Sequence, residues 1–184
     1  MEEQVFFEKT LESEPLFAGK VVKLRRDRVE LVNGDTSFRE VIEHAGGVVV
    51  LPVDGEGCAW MVRQFRYPIG QELLEVPAGK LEPGEAPEAG ARRELREETG
   101  LTAGRLIPLG FEYPSPGFCD EKLWLYLALE LTQGEAQPDE DEFLAVKRLP
   151  LDELIEEAMA GRLPDGKTLA LLFMARDYLR RNAD

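Results

Sequence analysis

The first part of the chain alternates between apolar and polar positions in short runs, which is typical of β-strands. Three runs have this pattern: Val5–Glu12, Lys20–Leu31 and Arg39–His44. The pair Asn33-Gly34 lies between the last two runs and predicts a hairpin turn. We therefore expect a small antiparallel β lobe over residues 1–43, followed by a main domain over residues 44–184.

The main domain begins with an apolar run, Ala45–Pro52, which predicts a buried strand. The alternating run Ala59–Arg66 is expected to pair with it across a turn at Asp54–Gly57. Four further runs predict strands: Glu72–Pro77, Arg105–Phe111, Leu123–Glu130 and Phe143–Arg148.

Three segments have the spacing of helices. Residues Ala86–Thr99 predict a helix with Pro87 in its first turn and Gly100 at its C-terminal cap. Apolar residues at helical spacing after Leu151 and after Leu171 predict two more helices. Many strands with helices between them favour a mixed α/β or α+β fold.

Composition narrows the classes of function. The 184 residues carry a net charge of −14, so an acidic surface argues against binding nucleic acid through its phosphates, while a small phosphorylated ligand is still allowed. Cys58 and Cys119 form no CxxC pair, which argues against zinc and against a disulfide framework. The acidic N-terminus does not resemble a signal peptide, and no apolar run is long enough for a membrane. We expect a cytoplasmic protein.

The predicted helix over Ala86–Thr99 carries an unusual set of carboxylates. Glu94 and Glu98 are four residues apart and share one face, with Glu97 beside them. Like charges at this spacing cost roughly 0.2–0.5 kcal/mol unless a positive group lies between them. A hard divalent cation such as Mg²⁺ would supply that charge. The charges alone leave both an ordinary solvated helix and a metal platform open.

The wider spacing decides between them. The pattern G-x5-E-x7-R-E-U-x-E-E-x-G-U, where U is aliphatic, is filled by Gly79, Glu85, Arg93, Glu94, Leu95, Glu97, Glu98, Gly100 and Leu101. A chance match to its seven fixed positions is on the order of one in ten million per register. The pattern closely resembles the signature of the Nudix hydrolases.

The residue types suggest roles within this motif. Gly79 is expected to allow a tight turn before the helix, and Glu85 to lie where the helix macrodipole favours an anion. Arg93 is expected to tether a neighbouring carboxylate, with Glu85 as the candidate.

The resemblance implies an α/β/α sandwich around a mixed β-sheet and the hydrolysis of a nucleoside diphosphate linked to another group. It also implies Mg²⁺ as the cofactor, for which Mn²⁺ or another divalent cation can substitute. The ligands that it implies are the carbonyl of Ala78 and the carboxylates of Glu94, Glu97, Glu98 and Glu142.

Features outside the motif resemble the ADP-ribose pyrophosphatase branch of that family. Pro116 lies sixteen residues after Gly100, and the N-terminal β lobe is similar to the swapped dimerisation lobe of those enzymes. The resemblance implies a homodimer that cleaves ADP-ribose to AMP and ribose 5-phosphate, and it gives a set of substrate-binding residues. Arg39 and Arg66 would face the diphosphate or the terminal ribose, Phe17 would stack on adenine, and Pro116, Gly117 and Glu121 would belong to a substrate loop.

Two alternatives stay open at the level of sequence. The same carboxylate platform would serve another nucleotide sugar such as GDP-mannose. The fold would also serve a module that binds a nucleotide without cleaving it, although every glutamate of the motif is present.

The acidic run at residues 139–142 is either a solvated loop or part of the site. By resemblance to the branch, Glu142 is an added metal ligand and Glu140 is the candidate general base, and the choice of base between them is open. Glu97 is a further catalytic candidate. The only histidine, His44, is expected to be structural.

Overall fold

The computed structural model describes residues 6–136 and 143–182 of the chain. Ten strands and three α-helices form in the described residues, with a short 3₁₀ turn at Tyr67–Ile69. The strands are β1 (Lys9–Ala18), β2 (Lys23–Glu30), β3 (Thr36–Glu43), β4 (Gly47–Pro52), β5 (Cys58–Arg66), β6 (Gln71–Glu75), β7 (Ala78–Lys80), β8 (Leu101–Glu112), β9 (Leu123–Gln133) and β10 (Leu144–Pro150). The helices are α1 (Pro87–Thr99), α2 (Leu151–Met159) and α3 (Gly166–Arg181).

The N-terminal strands form an antiparallel sheet in the order β1-β2-β3. The β2–β3 hairpin is confirmed, and the side chain of Asn33 accepts a hydrogen bond from the backbone N–H of Asp35 at 3.0 Å in its turn. Strand β1 begins at Lys9 and continues to Ala18, further along the chain than its apolar pattern predicts. All ten of its residues are exposed, so no burial marks its ends in the sequence.

A mixed four-stranded sheet in the order β7-β4-β9-β8 forms the centre of the molecule. Strands β4 and β9 are parallel, and the other neighbours are antiparallel. Every residue of β4 is buried because its two faces contact different cores. On one face Val48 and Val50 pack with Leu95 of α1, and on the other Val49 packs in a larger core with α2 and α3. This confirms the expected sandwich around a mixed sheet.

The expected pairing of β4 with β5 is wrong. Strand β5 pairs with β10 and β6 in a separate three-stranded sheet, and only an isolated bridge between Val53 and Ala59 joins it to the end of β4. Both hydrogen-bonding edges of β4 are already occupied, one by β7 and the other by β9. The chain therefore turns after β4 and continues in the second sheet.

Helix α1 has the ends that its sequence predicts. Pro87 lies in the first turn, where its missing N–H costs no hydrogen bond. Gly100 adopts a left-handed conformation with φ 73° and donates its N–H to the carbonyl of Arg96. Among the described residues, no helix is long and apolar enough to cross a membrane.

The end of β3 is attached to the loop between β8 and β9. The N–H of Ile42 donates to the carbonyl of Phe118 at 2.7 Å, and the N–H of Asp120 donates to the carbonyl of Ile42 at 3.1 Å. The N-terminal sheet thus fixes the loop that carries Pro116, Gly117 and Glu121.

Candidate active site

Helix α1 places two carboxylates against the central sheet. Glu94 is 8% exposed and Glu98 is 3% exposed. An oxygen of Glu98 accepts a hydrogen bond from the backbone N–H of Ala78 at 3.2 Å, which ties the helix to strand β7. A carboxylate is seldom buried without a paired charge or a metal, so this face of the helix is built for more than solvation.

Gly79 is required for a different reason from the one expected. It lies within strand β7 rather than in a tight turn, and its φ is not in the left-handed region. A Cβ atom at this position would lie 2.1 Å from the carboxyl carbon of Glu94. Glycine is therefore needed because the backbone of β7 passes directly against that carboxylate.

Arg93 holds three glutamates together. Its guanidinium donates to both oxygens of Glu85 at 2.9 Å, to Glu94 at 2.8 Å and to Glu97 at 2.9 Å. It also donates to the carbonyl of Lys80 at 3.0 Å. The predicted tether between Arg93 and Glu85 is confirmed, and it extends to two members of the carboxylate platform.

The hydrogen bonds that Arg93 donates to Glu85 lower the pKa of Glu85 to about 2, and the same bonds raise the pKa of Arg93. A carboxyl whose pKa is lowered on folding stabilises the fold above its unfolded pKa and loses that contribution as pH falls toward its folded pKa. The Glu85–Arg93 pair is therefore fully charged throughout the neutral range, and it weakens only on acidification from about pH 4.5 toward pH 2.

The platform offers hard oxygen donors, which suit Mg²⁺ better than zinc. These donors are the carboxylates of Glu94, Glu97 and Glu98 together with nearby backbone carbonyls. Within residues 6–136 and 143–182, no group of three or more acidic, histidine or cysteine side chains is arranged so that it could hold a metal ion. Two of the carboxylates, those of Glu94 and Glu97, accept hydrogen bonds from Arg93. The donor chemistry fits the implied cation, and the predicted ligand Glu142 lies outside the described residues.

The platform borders an open cleft of about 1130 Å³. One wall comes from β7 and α1, a second from the loop after β8, and a third from the start of α3. The turn between β1 and β2 also reaches the cleft. The lining residues that matter here are Lys20, Arg66, Ala78, Glu94, Glu97, Glu112, Glu121, Asp165 and Lys167.

A buried glutamate holds two cations at this cleft. Glu75 is 0% exposed and accepts two hydrogen bonds from Arg66, at 2.8 and 2.6 Å. It also pairs with Lys167, which donates to Asp165 at 2.8 Å. Burial opposes the ionisation of Glu75, but Arg66 and Lys167 outweigh it and keep its pKa below the usual range.

The first turn of α3 fixes Lys167 in place. Asp165 caps the helix by accepting from the N–H of Thr168 at 3.0 Å. Thr168 is fully buried, and its hydroxyl accepts from the N–H of Val76 at 3.0 Å. This links α3 to the residue that follows Glu75, so the two cations and their carboxylate form one unit.

The structure brings together part of the predicted substrate set. Arg66 and Glu121 line the cleft, whereas Pro116 and Gly117 belong to the same loop as Glu121 but do not line it. Phe17 and Arg39 lie on the N-terminal sheet and do not line this chain's cleft, and Arg39 forms an ion pair with Glu8. The predicted base candidates Glu140 and Glu142 lie outside the described residues.

His44 has structural contacts. Its backbone N–H donates to the carboxylate of Asp120 at 2.8 Å, and its ring Nδ1 accepts from the N–H of Gly46 at 3.1 Å. Nδ1 also lies 3.3 Å from Glu121. His44 thus joins the segment before β4 to the loop between β8 and β9, and it also lines the cleft, so its structural role stays a prediction.

Four residues of the cleft region were not anticipated from the sequence: Glu75, Glu112, Asp165 and Lys167. The sequence does contain a signal for Glu75, because a charged residue within the apolar run Leu73–Val76 indicates a buried charge that needs a partner. Asp165 had one as well, since Asp three residues before Thr168 has the spacing of a helix N-cap. Neither signal reveals that Lys167 joins Asp165 to Glu75, which lies 92 residues before Lys167 in the chain.

Comparison with known proteins agrees with this geometry. The model of the NUDIX domain matches residues 43–172, and the model of the nucleoside diphosphate sugar hydrolase N-terminal domain matches residues 8–42. An ADP-ribose pyrophosphatase of Bacillus subtilis (strain 168) is 45% identical, with 88% of each chain covered. A methanol dehydrogenase activator of Bacillus methanolicus is also 45% identical, with 90% of this chain and 91% of that protein covered.

A solved structure shares the fold. The crystal structure of an ADP compounds hydrolase superposes with a TM-score of 0.86 at 21% identity, covering 99% of both chains. At that identity the likeness concerns the fold, including the N-terminal sheet.

Proposed function

The chain belongs to the NUDIX family, and from that premise we propose that it hydrolyses the diphosphate linkage of ADP-ribose to give AMP and ribose 5-phosphate. The observation that carries the proposal is the buried carboxylate pair Glu94 and Glu98 on a helix beside a cleft of nucleotide-sugar size. The B. subtilis relative, which is named an ADP-ribose pyrophosphatase, supports this choice of substrate.

The charges of the cleft suit a diphosphate. Arg66 and Lys167 supply positive charge to the lining of the cleft, and Glu75 holds both of them. Moving either cation away would remove one of the two positive partners of a fully buried carboxylate, which is costly. The cations are therefore positioned before the substrate arrives, as electrostatic stabilisation of a phosphoryl transition state requires.

We propose Mg²⁺ as the cofactor, held by Glu94, Glu97, Glu98 and the carbonyl of Ala78, with Glu142 as an additional ligand. A bound divalent cation offsets phosphate charge and makes a water molecule more acidic. Arg93 keeps the carboxylates at fixed positions because Glu85 anchors it from the far side.

Water is the proposed nucleophile. It attacks one phosphorus in line, and no covalent intermediate with the protein is needed. Glu140 or Glu142 is the proposed base, with Glu97 a further catalytic candidate.

Product analysis tests the proposed activity. Incubation with ADP-ribose and Mg²⁺ should release AMP and ribose 5-phosphate in equal amounts, measured by ion-exchange chromatography. Excess EDTA should abolish the reaction, and added Mg²⁺ should restore it. If ADP-ribose were not cleaved even with Mg²⁺ present, the result would favour a module that binds nucleotides without hydrolysing them.

The N-terminal sheet supports a further proposal, that the active form is a homodimer. Phe6, Phe7, Phe17 and Phe38 are all more than half exposed, which is a large apolar surface for one small sheet. A second copy that covers this surface would also explain why Phe17 and Arg39 lie outside the cleft of their own chain. Because Cys58 and Cys119 are unpaired, the proposal places this dimer in the reducing cytoplasm.

Sedimentation equilibrium at micromolar concentration tests the dimer. The expected mass is about 41 kDa, twice the 20.7 kDa of one chain. Phe38→Glu should shift the equilibrium toward the monomer, because it places a charge in the apolar surface. Met159→Glu, at an exposed position on α2, is the matched control and should leave the mass unchanged. A monomeric wild-type chain would contradict the proposal.

A further inference from the structure

Glu112 is the last residue of β8 and lines the cleft, and the roles proposed above do not use it. Its Oε1 atom is buried and has no hydrogen-bond partner among the described residues. Burying such an atom without a partner is unfavourable, so a buried carboxyl oxygen left in this state at a cleft wall points to a partner that arrives with the ligand.

The strand register places Glu112 away from the carboxylate platform. Glu112 is paired with Leu123 on the neighbouring strand, and Leu123 is paired in turn with Gly47. Residues paired across strands lie on the same face of a sheet, so the side chains of Glu112 and Leu123 point to the same side. Leu123 packs in the core that contains α3, whereas Glu94 of α1 lies on the opposite face, where Gly79 is paired with Val48. Glu112 is thus on the opposite face of the central sheet from the carboxylates of α1.

The surroundings of Glu112 disfavour an anionic partner. Burial raises the pKa of Glu112, the carboxylates of Asp165 and Glu121 raise it further, and Lys167 opposes them in part. A phosphate next to these three carboxyl groups would be repelled. A neutral hydroxyl group meets no such repulsion and can both donate and accept a hydrogen bond.

These observations meet in one assignment, which rests on the function proposed above. We propose that Glu112 is a specificity-determining residue that binds a hydroxyl group of the sugar beyond the diphosphate. The sugar lies against Glu112 and Glu121, and the diphosphate lies between Arg66, Lys167 and the helix α1 carboxylates.

The test compares two variants on two substrates. Glu112→Leu removes both carboxyl oxygens, and Glu112→Gln keeps a group that donates and accepts. The substrates are ADP-ribose and the n-pentyl ester of ADP, which keeps the adenosine and the diphosphate linkage but lacks the sugar beyond the diphosphate and its hydroxyl groups. Glu112→Leu should lower kcat/KM for ADP-ribose about tenfold or more and leave kcat/KM for the ester unchanged. Glu112→Gln should keep kcat/KM for ADP-ribose within about threefold of wild type.

The controls separate recognition from folding. Glu153→Leu makes the same replacement at an exposed position of α2 outside the cleft and should change neither substrate. The melting temperature of Glu112→Leu should not fall, because it removes a buried polar atom that has no partner. An equal loss with both substrates, or no loss with either, would overturn the assignment.

Binding separates this assignment from the proposed activity. Calorimetry with the non-hydrolysable α,β-methylene analogue of ADP-ribose measures affinity without turnover. A wild-type chain that binds the analogue but cleaves nothing would overturn the activity, and an at least tenfold weaker Kd for Glu112→Leu would still support the assignment. A wild-type chain that does not bind the analogue would overturn both.

Discussion

Glu94→Gln should lower kcat/KM for ADP-ribose by about a thousandfold, because a metal ligand contributes several kcal/mol to the transition state of a phosphoryl transfer. The change keeps the shape of the side chain and removes one buried negative charge beside Arg93. Steady-state kinetics with saturating Mg²⁺ measure the loss, and the far-ultraviolet circular dichroism spectrum should stay that of wild type.

The matched control lies on the same helix. Glu88 is exposed, pairs with Arg92 at 2.9 Å, and lies nearly two turns before Glu94 on the same helix. Exposed pairs of this kind contribute about 0–1 kcal/mol to stability, so Glu88→Gln should leave kcat/KM within about twofold of wild type. If Glu94→Gln kept more than about a tenth of the wild-type activity, Glu94 would not be a ligand of the reacting centre.

Gly79→Ala should lower kcat/KM about a hundredfold. The new Cβ would lie 2.1 Å from the carboxyl carbon of Glu94, far below van der Waals contact, so the carboxylate or strand β7 has to move. A displacement of about 1 Å in a positioned catalytic group costs about this much in rate. Gly55→Ala is the control, because nothing lies within 4 Å of that position and its backbone is not left-handed.

A double variant shows whether the two changes act through one group. If Gly79→Ala acts by displacing Glu94, the combination with Glu94→Gln should be no slower than Glu94→Gln alone. Losses that multiply would mean that Gly79 supports activity by another route, such as the carbonyl geometry of β7.

The local features of the site could be predicted from the sequence, because they depend on short spacing. Helix α1, its cap at Gly100 and the contact between Arg93 and Glu85 all lie within a segment of about twenty residues. The helical repeat determines which side chains of α1 share a face, and Glu85 comes only two residues before the helix begins.

Features that depend on distant pairing could not be predicted. The turn after β4 suggested a hairpin, yet β5 pairs with β10, more than 80 residues later in the chain. Glu75 and Lys167 meet across 92 residues, and no periodicity relates them. The expectation for Gly79 was wrong for a different reason, since its neighbour is a side chain of α1 and not its own loop, and the spacing along the chain does not show how closely β7 passes that helix.

Burial of single atoms is a further property that the sequence does not contain. Glu112 looks like any charged residue at the end of a strand, and only the three-dimensional arrangement shows that one of its oxygens has no partner among the described residues. Phe17 is a second example, because only the folded chain shows that its ring is exposed and does not line the cleft.

The central claim is tested most directly by competition among ADP-ribose, ADP-mannose, GDP-mannose and NADH in one reaction with Mg²⁺. The proposal predicts that AMP and ribose 5-phosphate appear first and that kcat/KM is highest for ADP-ribose. Faster release of GMP and mannose 1-phosphate would contradict the proposed substrate and leave the carboxylate platform of α1 in place. No product from any of the four would contradict the hydrolase itself.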